Sequence, residues 1–239
     1  MSSQAPGDHD DERTTIAAFD FDGTITRGGS VVPYLLALRG PGPVALALLA
    51  SLPQLVRAAF VAGSSADSSK EAVFGRLLTG VSAERADRVA ARFAERHLAQ
   101  RVRPEVRDRI DWHRKLGHKV VVVSASPECY VKVAGELLGV DATLATRLGV
   151  GGGLLTGHYE GKNCRGAEKF ARLAGWIRTE GLNGGGSSQP IIWAYGNSRG
   201  DLRLLDAADH GVDVGRLGRW GKLRRFPRLA DVTADAPSA

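Results

Sequence analysis

Three short runs, apolar nearly throughout, constrain this chain most: Thr14–Asp20 (TTIAAFD), Lys119–Ser124 (KVVVVS) and Pro190–Tyr195 (PIIWAY). Runs of this length without polar alternation read as strands covered on both faces, as in a parallel sheet. Each ends in small or polar residues and is followed by a helical pattern. Ser126-Pro127-Glu128 looks like an N-cap, a proline at the first helical position and an acid in the first turn. A helix is also expected over Arg199–Ala208. Strand, polar loop and helix in repetition predict an α/β fold with crossovers. Ligands of such sheets bind beyond the carboxyl ends of the strands.

The stretch between the first two strands is far too long for a loop, so an inserted subdomain is expected there. We place a tail at 1–13, a core at 14–30 and 103–239, and a helical insert at 31–102. Ser82–Arg101 is helical by composition, with Glu84/Arg88 and, in the next helix, Glu105/Arg109 at i,i+4 as solvated pairs. Between Val31 and Ala62 the only charged residues are Arg39 and Arg57, and prolines break the run. It is too short and interrupted to span a bilayer. It reads first as a helix pair forming the insert's core, and second as an apolar hairpin that touches a membrane or admits an apolar substrate. Gly149–Gly153 turns a hairpin and lacks the spacing of a dinucleotide-binding loop. Asn183–Ser188 reads as a surface loop.

Composition narrows the classes. With 239 residues, 43% of them hydrophobic and 24% charged, the chain can bury a core without a disulfide or metal staple. Cys129 and Cys164 have no zinc-site spacing, and Met1–Arg13 has no apolar signal-like segment, so a cytoplasmic protein is expected. The net charge of +6 is a modest basic excess. It is concentrated in Gly215–Leu229, which holds six basic residues and no acid. That segment suits a solvated edge, peripheral contact at the inner face of an anionic membrane or, as the weaker candidate, a nucleic acid.

The first strand ends in Asp20-Phe21-Asp22-Gly23-Thr24. Aspartate is a poor strand former, and a buried pair of like charges is costly unless something neutralises it. One carboxylate can attack an electrophile while its neighbour moves protons. A hard divalent cation with oxygen ligands would relieve their repulsion, and Mg2+ suits such a set.

DFDGT after an apolar strand resembles the first motif of the haloacid dehalogenase superfamily of phosphotransferases. Three further family motifs are matched in order: Ser124 ending VVVVS, Lys169 in NCRGAEKFARL, and the loop Gly196-Asn197-Ser198-Arg199-Gly200-Asp201. The insert, with YGNSRGDLRLL and CRGAEK, is similar to the phosphoserine-phosphatase-like branch, subfamily IB. The resemblance implies a Rossmann-like parallel sheet with a helical cap and a Mg2+-dependent phosphatase working through an aspartyl-phosphate. It implies Asp20 as nucleophile and Asp22 as proton donor and acceptor. Gly23, Thr24, Ser124, Ala125 and Lys169 would bind the phosphoryl group; Asp20, Asp22, Asn197 and Asp201 would hold the metal. Thr24 would orient Asp20, and the N–H groups of residues 21–23 and of Ala125 would cradle the phosphate.

Two departures from the family matter. Asn197 stands where many members carry aspartate. The branch's acidic residue after the nucleophile, which reads the substrate's amine, is met here by Gly29, and its cap arginine by Phe74, with Arg76 displaced. Phosphoserine is therefore not the expected substrate, and a phospholipid-type phosphate is the specific alternative. A catalytically weak chain that binds or regulates through its basic and apolar surfaces is the competing reading.

Overall fold

The computed structural model describes residues 13–51, 65–183, 189–215 and 225–232, with side chains from residue 71 in the second stretch. The tail, residues 52–62 of the uncharged run, most of the 183–188 loop, and residues 216–224 of the basic segment lie outside the described residues.

Five parallel strands form the central sheet in the order β3-β2-β1-β6-β7: β1 Thr15–Phe19, β2 Lys119–Pro127, β3 Ala142–Thr146, β6 Ile191–Gly196 and β7 His210–Asp213. A short antiparallel hairpin, β4 Leu148–Gly151 and β5 Leu154–Tyr159, leaves the carboxyl end of β3. Parallel pairing suits these strands because both faces are covered. Ala17 and Phe19 of β1 face one apolar cluster, while Ile16 and Ala18 face the other. Helices α5 (Pro104–Lys115) and α6 (Glu128–Leu138) close the first face with Ile110, Tyr130 and Leu138. Helices α7 (Ala167–Thr179) and α8 (Leu202–Ala207) close the second with Leu173, Ile177 and Leu204.

Between β1 and α5 come α1 (Val31–Arg39), α2 (Pro41–Ala50), α3 (Ser65–Leu78) and α4 (Ala83–Arg101). The uncharged run thus begins with a helix pair. Ser82 caps α4, its side chain accepting from the Arg85 N–H, and the Glu84–Arg88 pair forms on its exposed face. Tyr34, Phe74, Phe93 and Leu98 of these helices join the same apolar cluster that covers the sheet.

Three local expectations are corrected. Strand β2 runs three residues past Ser124, so Pro127, not Ser126, precedes α6, and no side chain caps that helix. The predicted Arg199–Ala208 helix divides into a 3-10 turn over Arg199–Asp201 followed by α8. Arg109 does not pair with Glu105: it is buried and donates to the Val232 carbonyl, while Glu105 pairs with Arg103.

Candidate active site

The chain runs from β1 in one direction across the sheet to β2 and β3, and later returns on the other side of β1 as β6. The carboxyl ends of β1 and β6 therefore flank the crevice where the strand order reverses, the usual ligand site of such sheets. Residues 20–24 leave β1 there, and residues 197–201 leave β6. Register pairs Phe19 with Tyr195, and the Asp20 N–H donates to the Tyr195 carbonyl at 2.9 Å.

Asp20 is buried, and its carboxylate is held by two side chains. Lys169 Nζ donates to its Oδ1 at 2.5 Å, and Thr24 Oγ1 lies 3.0 Å from its Oδ2 and 3.3 Å from Asn197 Oδ1. The same ammonium reaches Asp201 Oδ1 at 2.6 Å. Lys169 arrives from the first turn of α7, whose apolar face on Leu173 and Ile177 fixes its direction. One positive charge thus stands between two buried acids. Burial alone would lower the Lys169 ammonium, but Asp20 and Asp201 outweigh it and raise it. Burial likewise opposes ionisation of Asp201, yet Lys169 and the loop's donors hold its carboxyl low. Asp20 is left with the surplus: burial, then the Asp201 charge, push it up to about 7.

Asp201 closes its own loop. Its Oδ2 accepts from the N–H groups of Asn197 (3.2 Å) and Ser198 (2.9 Å) and from Ser198 Oγ (2.7 Å). Both oxygens of this buried carboxylate are engaged, Oδ1 by Lys169 and Oδ2 by the loop's own donors. Asp201 positions the loop, and Asn197 Oδ1 accepts from the Thr24 hydroxyl.

The Gly23 N–H donates to the Gly28 carbonyl at 3.1 Å and closes the 23–28 loop. The residue also contributes space: φ is +81°, and a Cβ there would lie 2.0 Å from Asn197 Nδ2. Glycine lets the first and fourth motifs touch.

Asp22 is held separately. Its Oδ1 accepts from the Ser30 N–H at 2.9 Å, and its Oδ2 from Ser126 Oγ at 2.6 Å. Ser30 Oγ in turn lies 2.8 Å from the Tyr130 hydroxyl. The β2–β3 register shifts between Ser124 and Pro127, which brings both serines to the site. Ser124 is buried, its Oγ accepting from the Ser126 N–H at 3.1 Å, and Ala125 between them is partly exposed. Sequence reading missed Ser126, Ser30 and Tyr130. The Ser-Ala-Ser spacing was a signal for the first; nothing local announces the other two.

The donor set fits a hard divalent cation. Asp20 and the Asn197 amide present oxygens to the same Thr24 hydroxyl, and the buried group around Lys169 carries two carboxylates against one ammonium. Among the described residues, no three His, Cys, Asp or Glu side chains converge as a metal cluster.

The haloacid dehalogenase-like hydrolase family model matches residues 17–206, a span that contains every one of these groups. The chain belongs to the haloacid dehalogenase-like hydrolases. This hydrolase is 31% identical over 195 residues to protein CicA of Caulobacter vibrioides, covering 81% of this chain and 83% of CicA. It is 27% identical over 224 residues to the inhibition of morphological differentiation protein of Streptomyces azureus, covering 90% and 78%. Among solved structures, its fold is similar to a protein of unknown function from Bordetella pertussis Tohama I, with TM-score 0.74 and 20% identity over 90% of this chain and 98% of that one. It is also similar to a substrate-bound phosphoserine phosphatase, with TM-score 0.59 and 20% identity over 84% and 86%. Those likenesses bear on fold alone.

Proposed function

We propose that this hydrolase is a Mg2+-dependent phosphomonoester phosphatase. Asp20 attacks phosphorus, the bond to the leaving oxygen breaks, and Asp22 donates its proton to that oxygen. Asp22 then takes a proton from water, whose oxygen attacks the aspartyl-phosphate and frees phosphate and Asp20. Asp20, the Asp22 carbonyl and Asn197 would hold the cation, which supplies charge stabilisation for the phosphoryl oxygens. Lys169 offsets negative charge beside Asp20, Thr24 orients the nucleophile, and Ser124 has a hydroxyl proton for a phosphoryl oxygen. The observation that carries this reading is the division of labour between the two acids. Asp20 sits in the buried charge cluster, while Asp22 is fixed apart from it by Ser30 and Ser126.

The substrate in this reading is not phosphoserine. Gly29 is exposed and brings no acid to the site. Phe74 is buried, its ring edge-on to Tyr159 at 5.9 Å. Arg76 turns away, donating to Ser51 Oγ and to the Ala72 carbonyl.

The test is turnover of a generic aryl phosphate with and without Mg2+, with beryllium fluoride trapping followed by mass or NMR detection. Activity that needs Mg2+ and vanishes in Asp20→Asn, with an adduct at Asp20, supports the reading. Activity that persists in Asp20→Asn refutes it. Phosphoserine turnover equal to that of the best small ester would refute the specificity.

A further inference from the structure

We infer that the α1–α2 end of the molecule docks on an anionic bilayer, which makes lipid-borne phosphate esters the substrate class of the site. The substrate half rests on the phosphatase reading above; the docking half does not.

Helix α2, PGPVALALLA, is apolar on every side, a pattern that normally belongs to a buried helix. Yet only Val44 and Ala47 are buried, while Leu46 is 70% exposed and Leu49 66% exposed. Helix α1 adds Val32 and Leu36 to the exposed apolar residues. A second segment, distant in sequence, contributes at the same end. The tip of the β4–β5 hairpin exposes Val150 (55%) and Leu154 (47%). Backbone bonds fasten that tip to the start of α4: Ala83 N–H to the Gly153 carbonyl at 2.9 Å and Leu155 N–H to the Val81 carbonyl at 2.8 Å. Arg85, in the first turn of α4, donates to the Leu38 carbonyl at the end of α1. The end of α1 and the hairpin tip are thus both joined to the start of α4.

Charge selects the occupant. The exposed ionisable residues of α1, α2 and the first two turns of α4 are Arg39, Arg85 and Arg88 against Glu84 and Asp87; with Arg88 paired to Glu84, an excess of one arginine is left to meet lipid phosphates. No helix among the described residues is long and apolar enough to cross a membrane, so the expected mode is shallow interfacial insertion. The patch is joined to the chemistry through α1. That helix starts at Val31, directly after Ser30, whose N–H holds Asp22.

The experiment sediments the full chain with vesicles of phosphatidylglycerol and phosphatidylcholine, and with phosphatidylcholine alone. Wild type is compared with Leu46→Asp/Leu49→Asp and with Val150→Asp/Leu154→Asp, and aryl phosphate turnover is measured alongside. Wild type is expected to partition onto the anionic vesicles. Each double variant should bind them about tenfold more weakly or worse, at unchanged turnover of the soluble ester but reduced turnover of a vesicle-borne phosphate monoester. Absence of vesicle binding by wild type, or equal binding by the variants, overturns the docking surface. So does a dimer in sedimentation velocity that Leu46→Asp/Leu49→Asp dissociates without any vesicle binding, since a second copy would then cover the patch. Vesicle binding without soluble phosphatase activity upholds the surface and overturns the substrate half with the phosphatase reading.

Discussion

Lys169 Nζ lies 2.5 Å from Oδ1 of Asp20, and both side chains are buried. Because Asp201 claims the same ammonium, removing it leaves two buried carboxylates uncompensated. Breaking a buried charge pair in this way costs about 3–5 kcal/mol. Lys169→Met should therefore lower stability by about that much in denaturant titrations, and remove activity. Adding Asp201→Asn should recover part of the stability and none of the activity. A Lys169→Met protein as stable as wild type would mean the triad is not held as described.

Gly23→Ala tests the contact between the first and fourth motifs. The added methyl would fall on Asn197 Nδ2, and φ of +81° is unfavourable for alanine. Strain of this kind costs of order 1–3 kcal/mol. We expect a lower melting temperature and weaker Mg2+-induced stabilisation, because Asn197 must move. Unchanged metal-dependent melting would show that Asn197 is not a ligand.

Asn197→Asp should act in the opposite direction on metal. A carboxylate adds charge where the amide has none, so Mg2+ should bind more tightly and raise the melting temperature at lower concentration. Titration of melting temperature against Mg2+ reads this without turnover. No tightening would remove the charge argument.

Ser126→Ala removes the 2.6 Å hydrogen bond to Asp22 Oδ2. A hydrogen bond to a charged group contributes about 1.5–3 kcal/mol, so kcat should fall by roughly tenfold or more. KM for a small aryl phosphate should change little, because Ser126 orients the proton-transfer group and is not assigned to the phosphate. Ser126→Thr, which keeps the hydroxyl, should recover most of the rate. Equal losses in both variants would mean packing, not the hydrogen bond, is at stake.

Acid stability should depend on His113. Burial, then the neighbouring His118 and Arg109, push its imidazole down to about 3. Its nitrogens lie 2.8 Å from Tyr195 Oη and 2.8 Å from His118 Nδ1. The unfolded chain binds a proton there near its ordinary value of 6.5, which the native state refuses. The contribution is complete above that value and is lost as pH falls from 6.5 toward 3, by at most about 1.4 kcal/mol per pH unit. His113→Phe should be less stable at neutral pH but show a shallower acid slope. Parallel slopes for the two proteins would exclude His113 as the source.

Consecutive residues dictated only local features. The apolar runs had to be strands covered on both faces, and Asp20 and Asn197 had to fall just beyond the carboxyl ends of theirs, because a strand's reach and burial are written in consecutive residues, whereas Ser124, read as the end of its run, lies inside β2. Family motifs in order supplied Lys169 and Asp201 as well. Tertiary structure decided what depends on distant segments meeting. It turned Ser126 from an expected helix cap into a partner of Asp22, through a register shift that only pairing with β3 creates. It gave the Gly23 N–H to Gly28, drew Arg109 inward to Val232, and occupied both oxygens of Asp201. Hydropathy could say that α2 is apolar, but not whether a neighbour covers it. The packing of α1, α3 and α4 buried Val44 and Ala47 and left Leu46 and Leu49 facing outward, because a helix apolar on all sides carries no sequence signal for which side is turned to the core.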